Sequence, residues 1–178
     1  MQIRFAVLPL LALGLAACGQ SSDTAQAPAT EAAATASAAA TPVATVSPEE
    51  GAKVAAARHE GFEAIGKAMK SVGDELKKPT PNVDAIKAGA AKINEYAPQV
   101  ASWFPAGSGM EVAPKSEALP AIWEKPAEFQ QATAKFVAEA ATFNTTAQGG
   151  DLAAIGAGMK ALGGTCKGCH DQFRKEED

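Results

Sequence analysis

The chain has 178 residues, 47% of them hydrophobic and only 6% aromatic, with a formal net charge of −4. Its 16 Lys and Arg residues gather into no long run, so the counterion-releasing surface that nucleic-acid binding needs is missing and that class of function is excluded. The three cysteines, Cys18, Cys166 and Cys169, lie in different surroundings and do not form a disulfide framework.

Arg4 supplies a positive start, and residues 5–17 are apolar, too short to span a bilayer and ending in small residues as a signal peptide does. Leu15-Ala16-Ala17-Cys18 resembles a bacterial lipobox, in which the Cys becomes the first mature residue and carries acyl groups. The alternative is an ordinary signal peptide cleaved elsewhere, with Cys18 incidental. Gly19 after Cys18 resembles the outer-membrane pattern of Gram-negative lipoproteins. The expectation is a periplasm-facing protein held by lipid, since several acyl chains anchor where one binds reversibly. After this signal (1–17), residues 18–46 carry the anchor and an Ala/Thr/Ser/Pro tether without apolar bulk for a core, leaving 47–178 as the folded domain.

Four segments of that domain step their apolar residues by three and four. In the first, Val54, Arg58, Phe62, Ile65, Met69, Val72 and Leu76 share a face, behind a cap, proline and acidic turn in Ser47-Pro48-Glu49-Glu50. Lys78-Pro79-Thr80-Pro81 ends it, and Asn82 caps a second helix that Pro98 kinks or frays near its end. A loop with Pro105, Gly107, Gly109 and Pro114 leads to a short turn around Ile122-Trp123. The third helix opens near Pro126 and carries Phe129, Phe136 and Phe143 at heptad spacing. Gly149-Gly150 breaks it, Asp151 caps the fourth, and Leu152, Ile155, Met159, Leu162, Cys166, Cys169 and Phe173 form the fourth stripe. No segment alternates with period two. The fold expected is all-α, an antiparallel up-down four-helix bundle.

Cys166-Lys167-Gly168-Cys169-His170 is C-x-x-C-H, the attachment pattern of c-type haem. Cysteines three apart on a helix lie on one side and can each bond a vinyl group of the same porphyrin edge. His170, four after Cys166, projects from that flank toward the iron. Two other readings weigh less. A thiol–disulfide redox pair belongs at a helix N-terminus, whereas this pair stands near a C-terminus, where the dipole raises thiol pKa values. A zinc site from Cys166, Cys169, His170 and His59 suffers because adjacent residues diverge by about 100° on a helix.

With the motif in the last helix of a four-helix bundle, the sequence resembles the class II c-type cytochromes, and within them the cytochrome c′ family. Leu162 through Arg174 is similar to that family's C-terminal signature, and Phe104-Pro105-Ala106-Gly107 and Ala121-Ile122-Trp123 match its landmarks. The resemblance covers residues 50–178 and implies a role for several residues. In the family the first helix supplies the residue opposite the axial histidine, four after an arginine that meets a haem propionate; here these are Phe62 and Arg58. His59 falls at a position near the propionates, Ser116 and Glu117 in a loop that contacts them (relatives commonly have Thr where Ser116 stands), and Arg174 beside the proximal face. Arg174 otherwise pairs with Glu176, Glu177 or the helix end.

An aromatic ring at Phe62 does not ligate iron, so the expectation is a five-coordinate haem under an apolar lid of Phe62, Ile65 and Met69. Met69, two turns from Phe62, is about 10 Å away along the helix. The resemblance implies nitric oxide and carbon monoxide binding, single-electron transfer with an unidentified redox partner, and a carrier or gas-binding protein rather than a turnover enzyme. The alternative is a six-coordinate, low-spin electron carrier of the same class. Relatives also form dimers through their first two helices, and Ala55, Ala56 and Gly66 are small enough for such an approach.

Overall fold

The computed structural model describes residues 45–176. The signal sequence, Cys18 and nearly all of the tether lie outside the described residues.

Helix α1 (Pro48–Leu76) starts where extended Ser47 accepts the Glu50 N–H on its hydroxyl at 3.3 Å, with Pro48 in the first turn beside Glu49 and Glu50. Helix α2 (Val83–Tyr96) is capped by Asn82, whose side-chain oxygen accepts the Ala85 N–H at 3.1 Å. Between them Glu75 clips the turn, accepting from Lys78 Nζ at 2.6 Å and from the Asn82 N–H at 3.0 Å. Pro98 has no N–H to donate, and α2 tightens there into a 3-10 helix, Ala97–Trp103. One-turn helix α3 (Ala121–Glu124) precedes α4 (Pro126–Gly149), which ends at Gly150 in the left-handed region, φ 78°. Asp151 then caps α5 (Leu152–Phe173), accepting the Ala153 and Ala154 N–H groups at 2.9 and 3.3 Å.

These helices form the expected antiparallel bundle. Contacts beside the short connections fit that direction: a Cβ at Gly89 of α2 would meet Val72 of α1 at 2.6 Å, and one at Gly158 of α5 would meet Phe143 of α4 at 3.1 Å. The main core is built on Ile65, Val72, Ile86, Ile93, Phe143, Ile155 and Leu162. A smaller cluster of Ala118, Ile122, Phe129 and Phe173 closes one end. Helix α1 packs on α2, α2 on α4 and α4 on α5, while α1 and α5 are the loosest neighbours. No strand occurs among the described residues, only an isolated antiparallel bridge between Ala118 and Arg174.

The structure corrects the sequence pattern in two places. The deepest line of α1 runs through Gly51, Ala55, Arg58, Gly61, Ile65, Ala68 and Val72, and Val54, Phe62, Met69 and Leu76 flank it half-buried. Close approach of the following loop selects small residues on this line: a Cβ on Gly51 would lie 2.1 Å from the Gly107 carbonyl oxygen. Leu152, counted as the first member of the α5 stripe, is the first residue of its helix and stands exposed. No described helix is long and apolar enough to cross a membrane.

Candidate haem-binding site

The motif lies inside an unbroken helix, since α5 runs through Cys166, Cys169 and His170 to Phe173. Its N-terminal half resists fraying because Asp151 caps it, and its C-terminal end is held by the bridge to the preceding loop. There Leu119 N–H donates to the Phe173 carbonyl at 3.0 Å and Lys175 N–H to the Glu117 carbonyl at 2.8 Å. Cys166 and Cys169 are half-buried free thiols. Cys166 packs against the main core and Cys169 against the smaller cluster, so the pair marks the junction of the two. Burial pushes both thiols above the usual cysteine range. That is the opposite of the activated thiolate a redox pair needs. His170 reaches the surface, but partial burial of its ring and then the charge of Arg174 hold its pKa below the usual histidine value. The neutral imidazole that results is the form that binds a metal.

Four residues expected at the site come together through two neighbours in one loop. Arg58, only 5% exposed in the middle of a helix bundle, donates to Ser116 Oγ at 2.9 Å. Glu117 accepts from Arg174 Nε at 2.5 Å. The pair Ser116-Glu117 thus joins the start of α1 to the end of α5. Arg58 also donates to the Ser108 hydroxyl and carbonyl, at 3.2 and 3.0 Å, and to the Trp103 carbonyl at 3.2 Å. Burial lowers its pKa, and Glu111 opposes the shift. His59 does not join this group. Its imidazole stands on the outer face of α1, 77% exposed and 3.6 Å from Glu63. Among the described residues no three His, Cys, Asp or Glu side chains gather to hold a metal ion, so the zinc reading with His59 has no geometric support.

Phe62 is placed by the register of α1 against α5. A Cβ built on Gly73 of α1 would lie 3.5 Å from the terminal carbon of Met159 of α5. Phe62 precedes Gly73 by the same eleven residues by which His170 follows Met159. In antiparallel helices each step covers about 16 Å, so Phe62 stands level with His170, to within about one turn. Met69 is level with Gly163 by the same reckoning. Phe62 meets Trp103 edge-to-face, centroids 5.2 Å apart, and Phe104 at 6.1 Å.

The arrangement suits a porphyrin. Gly163, three before Cys166 and seven before His170, lies on their side of α5, and a Cβ there would meet nothing within 4 Å. Helices α1 and α5 are loosely paired, and Phe62, Met69 and Met159, all partly buried, pack on the main core from these two helices. The donor set of two protonated thiols and a neutral imidazole matches covalent attachment and axial ligation.

Sequence reasoning had not singled out Trp103, Ser108 or Met159 for the site. Trp103 ends a short 3-10 helix and Ser108 lies in a loop, where no α-helical periodicity reports burial, although the neighbouring Phe104-Pro105-Ala106-Gly107 marked that loop.

The comparisons agree with this geometry. The sequence profile of the family described as cytochrome C′ matches residues 53–174. A cytochrome c-554 from Cereibacter sphaeroides is 37% identical over 126 residues, covering 67% of this chain and 79% of that protein. A cytochrome c′ from Rhodospirillum rubrum is 39% identical over 122 residues, covering 67% and 80%. Among solved structures, a nitric oxide complex of a cytochrome c prime variant from Alcaligenes xylosoxidans superposes with a TM-score of 0.63 at 24% identity, over 75% of this chain and 100% of that one. The chain belongs to the cytochrome c′ family, haem proteins of electron transfer and gas binding whose c-type haem is attached covalently.

Proposed function

We propose that Cys166 and Cys169 hold the haem through thioether bonds, that His170 ligates its iron, and that Phe62 lies over the opposite face and leaves the iron five-coordinate. The observation that carries this reading is the level placement of Phe62 against His170, with Met69 two turns away. When bound, the haem supplies a one-electron couple and an open position for a neutral diatomic. The chain's own residues decide what enters. Phe62 and the rings it touches, Trp103 and Phe104, keep that side apolar and exclude water. Phe62, the ring that faces the iron in this reading, offers dioxygen no hydrogen-bond donor, and none of the three rings offers peroxide chemistry an acid–base group. Nitric oxide, bound strongly enough by iron to displace a ring, is the gas that fits best, with carbon monoxide weaker. Single-electron exchange with an unidentified partner accompanies gas binding. Arg58 with Ser116, and Arg174 with Glu117, are the groups assigned to the propionates, joined through one loop beside the end of α5.

The test is the optical spectrum of the haem-loaded protein in both oxidation states, with and without carbon monoxide. A broad ferrous spectrum that changes on adding the gas is expected, and Phe62→Ala is expected to bind it more tightly. A sharp, split ferrous α-band that ignores carbon monoxide marks the six-coordinate carrier instead and overturns the reading.

The same proposal places the protein in the cell envelope, anchored through acylated Cys18 to the outer membrane and facing the periplasm. Leu15-Ala16-Ala17-Cys18-Gly19 supports it. Incorporation of labelled palmitate is expected in wild type and lost in Cys18→Ala; labelling that survives that change refutes it. A homodimer through α1 and α2 completes the proposal. Ala56 and Gly66 are exposed on α1 and available to it, whereas Ala55 is already buried inside the bundle. Sedimentation equilibrium distinguishes dimer from monomer.

A further inference from the structure

Trp103 is the last residue of the 3-10 helix that Pro98 imposes, and this placement delivers its indole onto α1. The benzo end of the ring rests on Gly61, where a Cβ would lie 2.4 Å from the nearest ring carbon. Only glycine admits the indole there, immediately before Phe62. Trp103 then meets Phe62 with its plane at 82° and centroids 5.2 Å apart, in the edge-to-face geometry that aromatic pairs favour. Tyr96 backs Trp103 from behind at 6.2 Å. Arg58, one turn before Phe62, donates to the Trp103 carbonyl at 3.2 Å and lies over Phe104 at 4.6 Å, so it holds the backbone of one residue that touches Phe62 and the ring of the other.

We propose that Trp103 is a specificity-determining brace: it holds the Phe62 ring in place and so sets how strongly the site discriminates against the more weakly bound diatomic. The inference rests on the reading of Phe62 as the residue opposite His170. A single phenyl ring on a helix exchanges rotamers freely, and a ligand enters during the fraction of time the ring is aside. Packed against Trp103, Phe62 leaves its position only by giving up the edge-to-face contact, which makes the open state about 3- to 10-fold rarer. Discrimination then depends on the stiffness of the lid as well as on its size.

The test uses full-length, haem-loaded ferrous protein, carbon monoxide association by flash photolysis, and the infrared band of bound carbon monoxide. Trp103→Leu is expected to speed association about 3- to 10-fold and to broaden the band as the lid takes several positions. Gly61→Ala is expected to do the same by pushing the indole away. Trp103→Phe, which keeps an aromatic edge, is expected to recover most of the wild-type rate. In a Phe62→Ala background, Trp103→Leu is expected to add nothing. Should Trp103→Leu fail to fold, the unbranched Trp103→Met takes its place with the same expectation. If Phe62→Ala speeds association while Trp103→Leu leaves rate and band unchanged, the brace is refuted and the lid stands. An additive effect of Trp103→Leu in the Phe62→Ala background also refutes it, since Trp103 then acts on the pocket directly. If Phe62→Ala itself changes nothing, the assignment of Phe62 fails first.

Discussion

Replacing Arg58 with Met separates the two tasks this residue performs. The guanidinium is buried, and it donates to two carbonyls, Trp103 at 3.2 Å and Ser108 at 3.0 Å, and to the hydroxyls of Ser108 and Ser116. Both hydroxyls keep a partner when it is removed. Ser108 Oγ donates to the Pro105 carbonyl at 2.8 Å, and Ser116 Oγ accepts from the Ala118 N–H at 3.3 Å. The two carbonyls lose the donor that Arg58 gave them. A buried acceptor left unmet costs about 1–3 kcal/mol, so the pair costs about 2–6 kcal/mol. Burying an apolar chain where a desolvated charge stood returns part of this, leaving a net loss of about 2–4 kcal/mol. Against a typical domain stability of about 5–15 kcal/mol, such a loss is large. Urea unfolding of the haem-loaded protein, followed by far-ultraviolet circular dichroism, reads it as a fall in midpoint of about 1–2 M. Arg58→Lys is expected to lose a comparable amount, because a single ammonium cannot reproduce the planar fork that reaches Trp103 and two loop serines together. A loss below about 1 kcal/mol for Arg58→Met, or full stability in Arg58→Lys, refutes the view that Arg58 is the hub of this end of the bundle.

The remaining predictions concern the frame. Phe143→Ala removes a fully buried ring from the main core and is expected to cost about 3–5 kcal/mol in urea melts, whereas Gly158→Ala crowds the same ring by about 1–3 kcal/mol, offset by about 1 kcal/mol of helix propensity, for a net loss below about 2 kcal/mol. Asp151→Ala removes the acceptor of two α5 amides and is expected to cost about 1 kcal/mol and to raise hydrogen exchange first in the opening turn of that helix. Glu75 has its pKa lowered by Lys78 and then by the Asn82 N–H. Its contribution is therefore complete above the ordinary glutamate value of about 4.3 and disappears as pH falls through the lower folded value. Glu75→Gln is expected to flatten that acid limb of the stability profile; an unchanged limb removes Glu75 from the account.

Much of this was written plainly in the chain. Ser47, Asn82, Pro98, Pro126 and Asp151 act through local chemistry that a few neighbouring residues decide, and each cap, kink or start falls where its residue stands. Phe129, Phe136 and Phe143 are buried together because a heptad keeps one face of a helix inward. The C-x-x-C-H group was legible because its geometry is internal to one helix. What the pattern hid depends on distance across the fold. Gly51 and Gly61 score as weak helix formers, yet they lie on the most buried line of α1 because a carbonyl and an indole press against them. Arg174 pairs with Glu117, 57 residues away, since the bridge at Ala118 brings that loop to the end of α5. His59 follows Arg58 by one step of about 100° around the helix, off the apolar stripe, and its ring stands in solvent as that position implies.

The open iron is the claim on which the rest turns, and low-temperature electron paramagnetic resonance of the ferric protein tests it most directly. A five-coordinate haem held by His170 beneath Phe62 predicts a high-spin, near-axial signal, and Phe62→Met is expected to convert it to a low-spin one by placing a thioether at the same level. A low-spin rhombic signal from the wild-type protein, lost in Met69→Leu, contradicts the account and hands the sixth position to Met69.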